Sequence, residues 1–143
     1  QRVDRSMQAK MRRKPRITIS EGDYNRLSNL ASACERNQPE IADNLAQEIE
    51  RARIVSDRAI AASVVRMGSS VTYVADGNQS KSVTLVYPGE ANIEQGRISI
   101  TTPIGTALIG LKTGQSISYA ARNGQIHDLS VVEVTPPRQD ALA

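Results

Sequence analysis

The period of the hydrophobic pattern changes once along this chain, at Gly68-Ser69-Ser70. Before this point apolar residues recur every three or four positions, which is typical of amphipathic helices. After it apolar and polar residues alternate, which is typical of strands. Because the helical part and the strand part follow one another and do not interleave, the pattern predicts an α+β fold with a helical first part and a sheet in the second.

Two amphipathic helices are predicted between residues 17 and 54. Ser20 followed by Asp23 is typical of a helix start, and Pro39 fits the first turn of a second helix because it has no amide proton to lose. We therefore expect a short antiparallel hairpin, a coiled coil whose arms are each about 20 Å long. The apolar positions that carry the spacing are Tyr24, Leu27, Leu30, Ala31 and Cys34, followed by Ile41, Leu45, Ile49 and Ala52.

Residues 55–69 have a looser pattern and are predicted to form a linker. Residues 70–136 contain alternating segments separated by Asp76-Gly77-Asn78 and Asn123-Gly124, which favour tight hairpin turns. Between them, the run from Thr102 to Gly110 predicts one short helix, with a cap and a proline at its start and a glycine after its end. We expect a twisted antiparallel sheet with one short helix, followed by a tail over residues 137–143.

The amino-acid composition argues against several classes of protein function. The chain has no Phe and no Trp, which argues against a nucleic-acid surface built on aromatic stacking. Its single cysteine cannot form an internal disulfide, and no run of 18 apolar residues occurs. These features predict a cytoplasmic protein without a membrane partner.

Basic residues are concentrated at the N-terminus. Residues 1–16 hold seven Lys or Arg against one Asp, while the other residues hold 11 against 14. This basic arm is a solvated tail, a leader that precedes a true start at Met7 or Met11, or a segment that makes a weak contact with nucleic-acid phosphates. Charge runs of this kind are more often solvated tails.

The sequence shows no recognisable arrangement of catalytic residues. His127 is the only histidine and has no sequence partner, and Cys34 falls on the apolar face of the first helix, where packing explains it. Glycine-rich phosphate loops are not found. The acids Glu35, Glu40 and Asp43 at the predicted hairpin tip either share a magnesium ion or are solvated acids at helix ends. We favour solvated acids, and predict no catalytic residue, metal or cofactor.

Five segments carry a resemblance to a known family: Leu85-Val86-Tyr87-Pro88-Gly89-Glu90-Ala91, Gly96-Arg97-Ile98-Ser99-Ile100, Thr101 through Gln115, Ile17-Thr18-Ile19 and Pro39 through Leu45. The segments after residue 84 resemble the Gre-factor superfamily of transcription elongation proteins. The short hairpin, with the two earlier segments, is similar to that of the Rnk proteins within this superfamily, the regulators of nucleoside diphosphate kinase. The likeness covers roughly residues 16–135.

The resemblance implies a function in transcription. It implies an FKBP-like C-terminal domain that docks on the rim of the secondary channel of bacterial RNA polymerase through Thr101, Thr102, Pro103 and Ile104. Gre proteins that stimulate transcript cleavage have a longer hairpin with an acidic tip motif, which this sequence lacks. We therefore expect a non-enzymatic regulator that does not stimulate cleavage. The alternatives are a Gre-like cleavage factor, a peptidyl-prolyl isomerase suggested by fold analogy alone, and a nucleic-acid-binding protein that uses the basic arm.

Overall fold

A computed structural model of the protein describes residues 15–77, 79–121 and 123–137. Most of the predicted basic arm, residues 1–14, and most of the predicted tail, residues 138–143, lie outside the described residues. The described part contains helices and strands in the order β1, α1, α2, β2, β3, β4, β5, α3, β6 and β7. Their bounds are β1 Thr18–Ser20, α1 Glu21–Cys34, α2 Pro39–Glu50, β2 Arg53–Val55, β3 Ser70–Ala75, β4 Ser80–Val86, β5 Arg97–Ser99, α3 Pro103–Leu108, β6 Ser116–Ala120 and β7 Ile126–Thr135.

The two predicted N-terminal helices are present. The Ser20 hydroxyl accepts a hydrogen bond from the Asp23 amide at 3.3 Å and caps α1, and Pro39 occupies the first turn of α2. Leu27 of α1 and Leu45 of α2 are fully buried on the faces predicted to be apolar. That the pair packs as a coiled coil stays a prediction.

The main sheet has five strands in the order β5-β4-β3-β7-β6. The pairs β3-β4, β3-β7 and β6-β7 are antiparallel, but β4 and β5 are parallel, with Leu85 opposite Ile98. The prediction of a purely antiparallel sheet is therefore wrong. The connection between β4 and β5 contains two short 3-10 turns that carry the chain back along the sheet, so β5 runs in the same direction as β4. That the sheet is FKBP-like stays a prediction.

A second, two-stranded sheet was not predicted. Strands β1 and β2 flank the helical pair and are parallel, with Ile19 opposite Ile54. The Thr18 amide also donates to the Gly110 carbonyl at 3.1 Å, so this small sheet connects the helical part to the chain that follows α3.

One hydrophobic cluster extends through the helical part and the sheet. It includes Ile17 and Leu27 together with Leu85 and Leu108, all almost fully buried. The segment predicted as a linker contributes to this cluster, because Val65 is buried and its amide donates to the Leu111 carbonyl at 2.7 Å. None of the helices in the described part of the chain has the length and apolar character needed to cross a membrane.

Candidate docking surface and groove

The corner between β5 and α3 has a fixed backbone. Thr102 precedes Pro103 at the first turn of α3, and its hydroxyl accepts from the Gly105 amide at 3.0 Å while donating to the Ser99 carbonyl at 2.8 Å. The Thr101 and Ser99 hydroxyls are hydrogen-bonded to each other at 2.6 Å. The side chain before the proline therefore satisfies a free amide at the helix start, as the sequence predicts.

Gly105 brings α3 very close to the end of β5. A Cβ at this position would lie 2.3 Å from the Ser99 carbonyl oxygen and 3.0 Å from the Ile100 Cα. In the same turn, the Thr106 hydroxyl donates to the Ile100 carbonyl at 2.8 Å. Only glycine fits this contact, which sets the direction in which the start of α3 points.

The four residues predicted to dock differ in what they offer to a partner. Thr101, Thr102, Pro103 and Ile104 are all half-buried, so none is covered completely. The two threonine hydroxyls already have partners within the corner, while Ile104 packs partly against the hydrophobic cluster. Pro103 and the exposed part of Ile104 are the apolar surface of this corner.

Pro103 also borders a groove between α2, α3 and β6, which we call the α2–β6 groove. Its two sections share Asn44, Gln47 and Pro103, and the larger has a volume of about 640 Å³. Helix α2 contributes Glu40, Ile41, Asp43, Asn44, Gln47 and Glu48. Helix α3 and its cap contribute Thr102, Pro103, Thr106 and Ala107, and the β6–β7 hairpin contributes Ile117, Ser118, Tyr119, Ala120, Ala121 and Gly124.

The predicted tip acids are all exposed, but they are divided between two grooves. Glu40 and Asp43 border the α2–β6 groove, whereas Glu35 borders a smaller groove between α1 and α2, which Asp43 also reaches. Among the described residues, no group of three Asp, Glu, His or Cys is placed to hold a metal ion. No local sequence signal indicates that Glu40 and Asp43 lie beside the same groove as Pro103, because this proximity depends on how α2 packs on the rest of the fold.

The three-residue spacing of Glu48 and Arg51 predicts an exposed ion pair on the surface of α2. The pair is present, but Glu48 is buried. Its side chain is only 4% exposed, and it accepts from the Arg51 guanidinium at 2.8 Å and 3.2 Å. Arg51 also donates to the Pro15 carbonyl oxygen. This network fixes the chain entering β1 beside the end of the α2–β6 groove that Glu48 borders.

His127 and Cys34 have ordinary structural surroundings. His127 Nδ1 lies 2.5 Å from an Asp76 carboxylate oxygen, and the Asp128 amide donates to the other oxygen at 2.8 Å. These hydrogen bonds hold the pKa of Asp76 below its usual value, and the one from the Asp128 backbone amide has the larger effect. Cys34 is buried on α1 with its Sγ 3.8 Å from the Gln38 side-chain oxygen.

Near the N-terminal end of α1, two polar side chains, Asp23 and Tyr87, are half-buried. The Asp23 carboxylate accepts from the Met67 amide at 3.1 Å, and burial raises its pKa. Burial, aided by the negative charge of Asp23, raises the pKa of Tyr87 to about 12. These side chains connect α1 to the segment before β3 and to the end of β4.

Two known protein families together match nearly all of the described residues. Residues 15–55 match the Rnk N-terminus, and residues 60–136 match the C-terminal domain of the transcription elongation factors GreA and GreB. The chain belongs to the GreA/GreB family. The Gre-type domain contains the Pro103 corner, and the Rnk-type segment contains the helical pair, so the predicted membership of the Gre superfamily with a Rnk-type hairpin is confirmed.

Individual Gre-family relatives agree with this assignment. The chain is 32% identical to the regulator of nucleoside diphosphate kinase of Escherichia coli K12, over 85% of this chain and 90% of that protein. It is 34% identical to the transcription elongation factor GreA of Nitrobacter winogradskyi, over 68% of this chain and 62% of that protein. A solved GreA/GreB structure from Nitrosomonas europaea is similar with a TM-score of 0.68 and 35% identity, covering 85% of this chain and 99% of that one.

Proposed function

We propose that this protein is a transcription regulator of the Rnk type that docks on bacterial RNA polymerase, at the rim of the secondary channel, through the Pro103 corner. The observation that carries the proposal is the corner itself. Pro103 and Ile104 are partly exposed on a backbone that is held by the Thr102 cap and by the close contact of Gly105. A small apolar patch of fixed shape is suited to a non-obligate interface.

The length of the helical pair supports a regulator that does not stimulate transcript cleavage. Helix α1 has 14 residues and α2 has 12, which correspond to about 21 Å and 18 Å at 1.5 Å per residue. A projection of this length is expected to stop short of the catalytic metal of a polymerase. Glu40 and Asp43 border one groove, and Glu35 borders another that Asp43 also reaches; among the described residues no group of three Asp, Glu, His or Cys is placed to hold a metal ion.

The protein is proposed to act by binding and not by catalysis. Its relatives are named as a regulator and as elongation factors. By extension from the first of these, an effect on nucleoside diphosphate kinase would follow from altered transcription. Tyr119 is the one aromatic side chain among the described residues that line the α2–β6 groove, which argues against a prolyl-isomerase pocket of the aromatic type.

Direct binding to bacterial core RNA polymerase tests the docking surface. Loss of one well-packed apolar contact at the centre of an interface costs more than about 1 kcal/mol, and 1.4 kcal/mol is a tenfold change in affinity. We expect Ile104→Asp to weaken binding at least tenfold and Pro103→Ala to weaken it several-fold. Ile93→Asp is the matched control, because Ile93 is 87% exposed in the β4–β5 connection and lies outside the corner.

Circular dichroism and thermal unfolding must first show that each variant is folded, since Ile104 is partly buried. Pro103→Ala is the milder change and keeps the test decisive if Ile104→Asp unfolds. Polymerase binding that is equally strong in the wild type, Pro103→Ala and a folded Ile104→Asp would contradict the assignment of this corner.

A further inference from the structure

The α2–β6 groove has an acidic border. Glu40, Asp43 and Glu48 of α2 line it, and none of its described lining residues is Lys, Arg or His. Glu48 is paired with Arg51, but within the described part of the chain neither Glu40 nor Asp43 forms an ion pair. Two carboxylates that have no cationic partner among the described residues therefore border a groove whose larger section has a volume of about 640 Å³.

The opposite border of the groove is the edge of the sheet. Strand β6 is last in the strand order, so no described strand pairs with its outer side. Four consecutive β6 residues, Ile117 through Ala120, line the groove. Consecutive side chains of a strand point to opposite faces, so a space bordered by four consecutive residues lies along the edge of the strand and not on one face of the sheet. Such an edge offers main-chain hydrogen bonds to an added polypeptide segment.

We propose that this groove binds the basic arm of the same chain, residues 1–14. The arm carries Lys10, Arg12, Arg13 and Lys14, whose charge is complementary to Glu40 and Asp43. The arm also joins the described chain beside this groove. The first described residue, Pro15, is held by Arg51, and Arg51 pairs with Glu48 at the end of the groove.

The reach of the chain fits the groove. Glu40 and Glu48 are about 12 Å apart along the helix axis at 1.5 Å per residue. An extended chain from Pro15 back to Lys10 spans up to about 17 Å. Exposed ion pairs are individually weak, but a tether gives the arm a high effective concentration at a groove that begins beside its own attachment point. Two weak pairs are therefore sufficient for binding within one molecule.

This inference goes beyond the proposed function, because it does not require polymerase. It assigns an occupant to the groove beside Pro103.

Paramagnetic relaxation in the full-length protein tests the proposal. A nitroxide is attached at Ala9→Cys in a Cys34→Ala background, so that it is the one label on the chain. We expect selective broadening of the amide signals of Asn44, Gln47 and Ala120, and little effect at Gln95 in the β4–β5 connection. Equal broadening at both places, or none in the groove, would overturn the proposal.

Charge variants of the same labelled chain separate the ion pairs from chance proximity. Glu40→Gln with Asp43→Asn is expected to lower the bound-to-free ratio of the arm about fivefold, which corresponds to about 1 kcal/mol. Glu90→Gln with Glu94→Gln removes the same number of charges from the opposite edge of the sheet and is expected to leave the broadening unchanged. Salt at about 1 M, where the Debye length falls to about 3 Å, is also expected to reduce it.

A nucleic-acid role for the arm would give a different result. Binding of a single-stranded RNA that weakens with salt and is lost in a Lys10, Arg12, Arg13 and Lys14 to Ser variant, without groove broadening in the free protein, would assign the arm to RNA and overturn the proposal. Because none of these measurements includes polymerase, failure here leaves the docking test of the Pro103 corner unaffected.

Discussion

Replacing Gly105 with alanine tests whether the Pro103 corner has the fixed geometry described above. Alanine inside a helix normally stabilises it by up to about 1 kcal/mol relative to glycine. Here the added Cβ would lie 2.3 Å from the Ser99 carbonyl oxygen, whereas ordinary contacts begin at 3.4 Å. Because the clashing atom belongs to the backbone, α3 must move by about 1 Å away from β5, as steric overlap in a packed region requires.

The size of the effect follows from the contacts that this movement disturbs. Overpacking costs about 1–3 kcal/mol. Weakening the cap between the Gly105 amide and the Thr102 hydroxyl, now 3.0 Å long, costs about 1 kcal/mol more. After subtraction of the gain in helix propensity, we expect Gly105→Ala to lower the free energy of unfolding by about 1–3 kcal/mol.

Urea unfolding followed by circular dichroism measures this change. With a slope of about 2 kcal/mol per molar urea, the midpoint is expected to fall by about 1 M. Gly89→Ala is the matched control, because its added Cβ meets no atom within 4 Å and the residue is exposed. The control is expected to stay within about 0.5 kcal/mol of the wild type. If Gly105→Ala is as stable as the wild type, the start of α3 is free to shift, and the account of a fixed corner is refuted.

Four further variants test polar groups at three places in the fold. Arg51→Ala removes the guanidinium that donates to the buried Glu48 carboxylate. In urea unfolding it is expected to lower the free energy of unfolding by about 1–3 kcal/mol, which is more than Glu48→Gln does, because glutamine keeps an acceptor. The reverse order of the two variants would contradict this reasoning. Because the folded pKa of Asp76 lies below its usual 3.8, its stabilising effect is present above that pH and is lost as the pH falls through the folded value. Thermal unfolding is expected to show that Asp76→Asn is less stable than the wild type near neutral pH and that this difference disappears in acid. A difference that does not change with pH would contradict a stabilising role for the Asp76 charge. Because the pKa of Tyr87 is raised from 10.0 to about 12, the wild type is expected to lose stability as the pH rises through that range. Tyr87→Phe has no phenol to ionise and is expected to lose less stability over the same range. Unfolding at alkaline pH measures the difference.

Local sequence signals predicted the helices and the cap at the candidate site. Ser20 and Pro39 mark the starts of α1 and α2, and Thr102-Pro103 marks the start of α3. Each signal acts within one turn of the chain: a hydroxyl accepts from an amide, or a proline occupies a place where no amide hydrogen bond is required. The information is contained in a few neighbouring residues, so it can be read from the sequence.

Contacts between distant segments were not predictable in the same way. The parallel pairing of Thr18 with Arg53, and that of Leu85 with Ile98, depends on which strand edges meet after the chain has turned. Likewise, Glu48 and Arg51 were expected as an exposed pair on the helix surface, and their spacing does not reveal that Glu48 is buried. Arg51 donates both to Glu48 and to the Pro15 carbonyl oxygen, a contact between segments 36 residues apart in the chain.

Transcript cleavage on backtracked bacterial RNA polymerase, with and without a GreA cleavage factor, tests the central claim most directly. The account predicts that the protein alone produces no shortened transcripts and that, added in excess, it reduces cleavage by GreA. The reduction is expected to be lost in Ile104→Asp and kept in Ile93→Asp. Shortened transcripts produced by this protein alone, or GreA cleavage that is unaffected by an excess of it, would contradict the account.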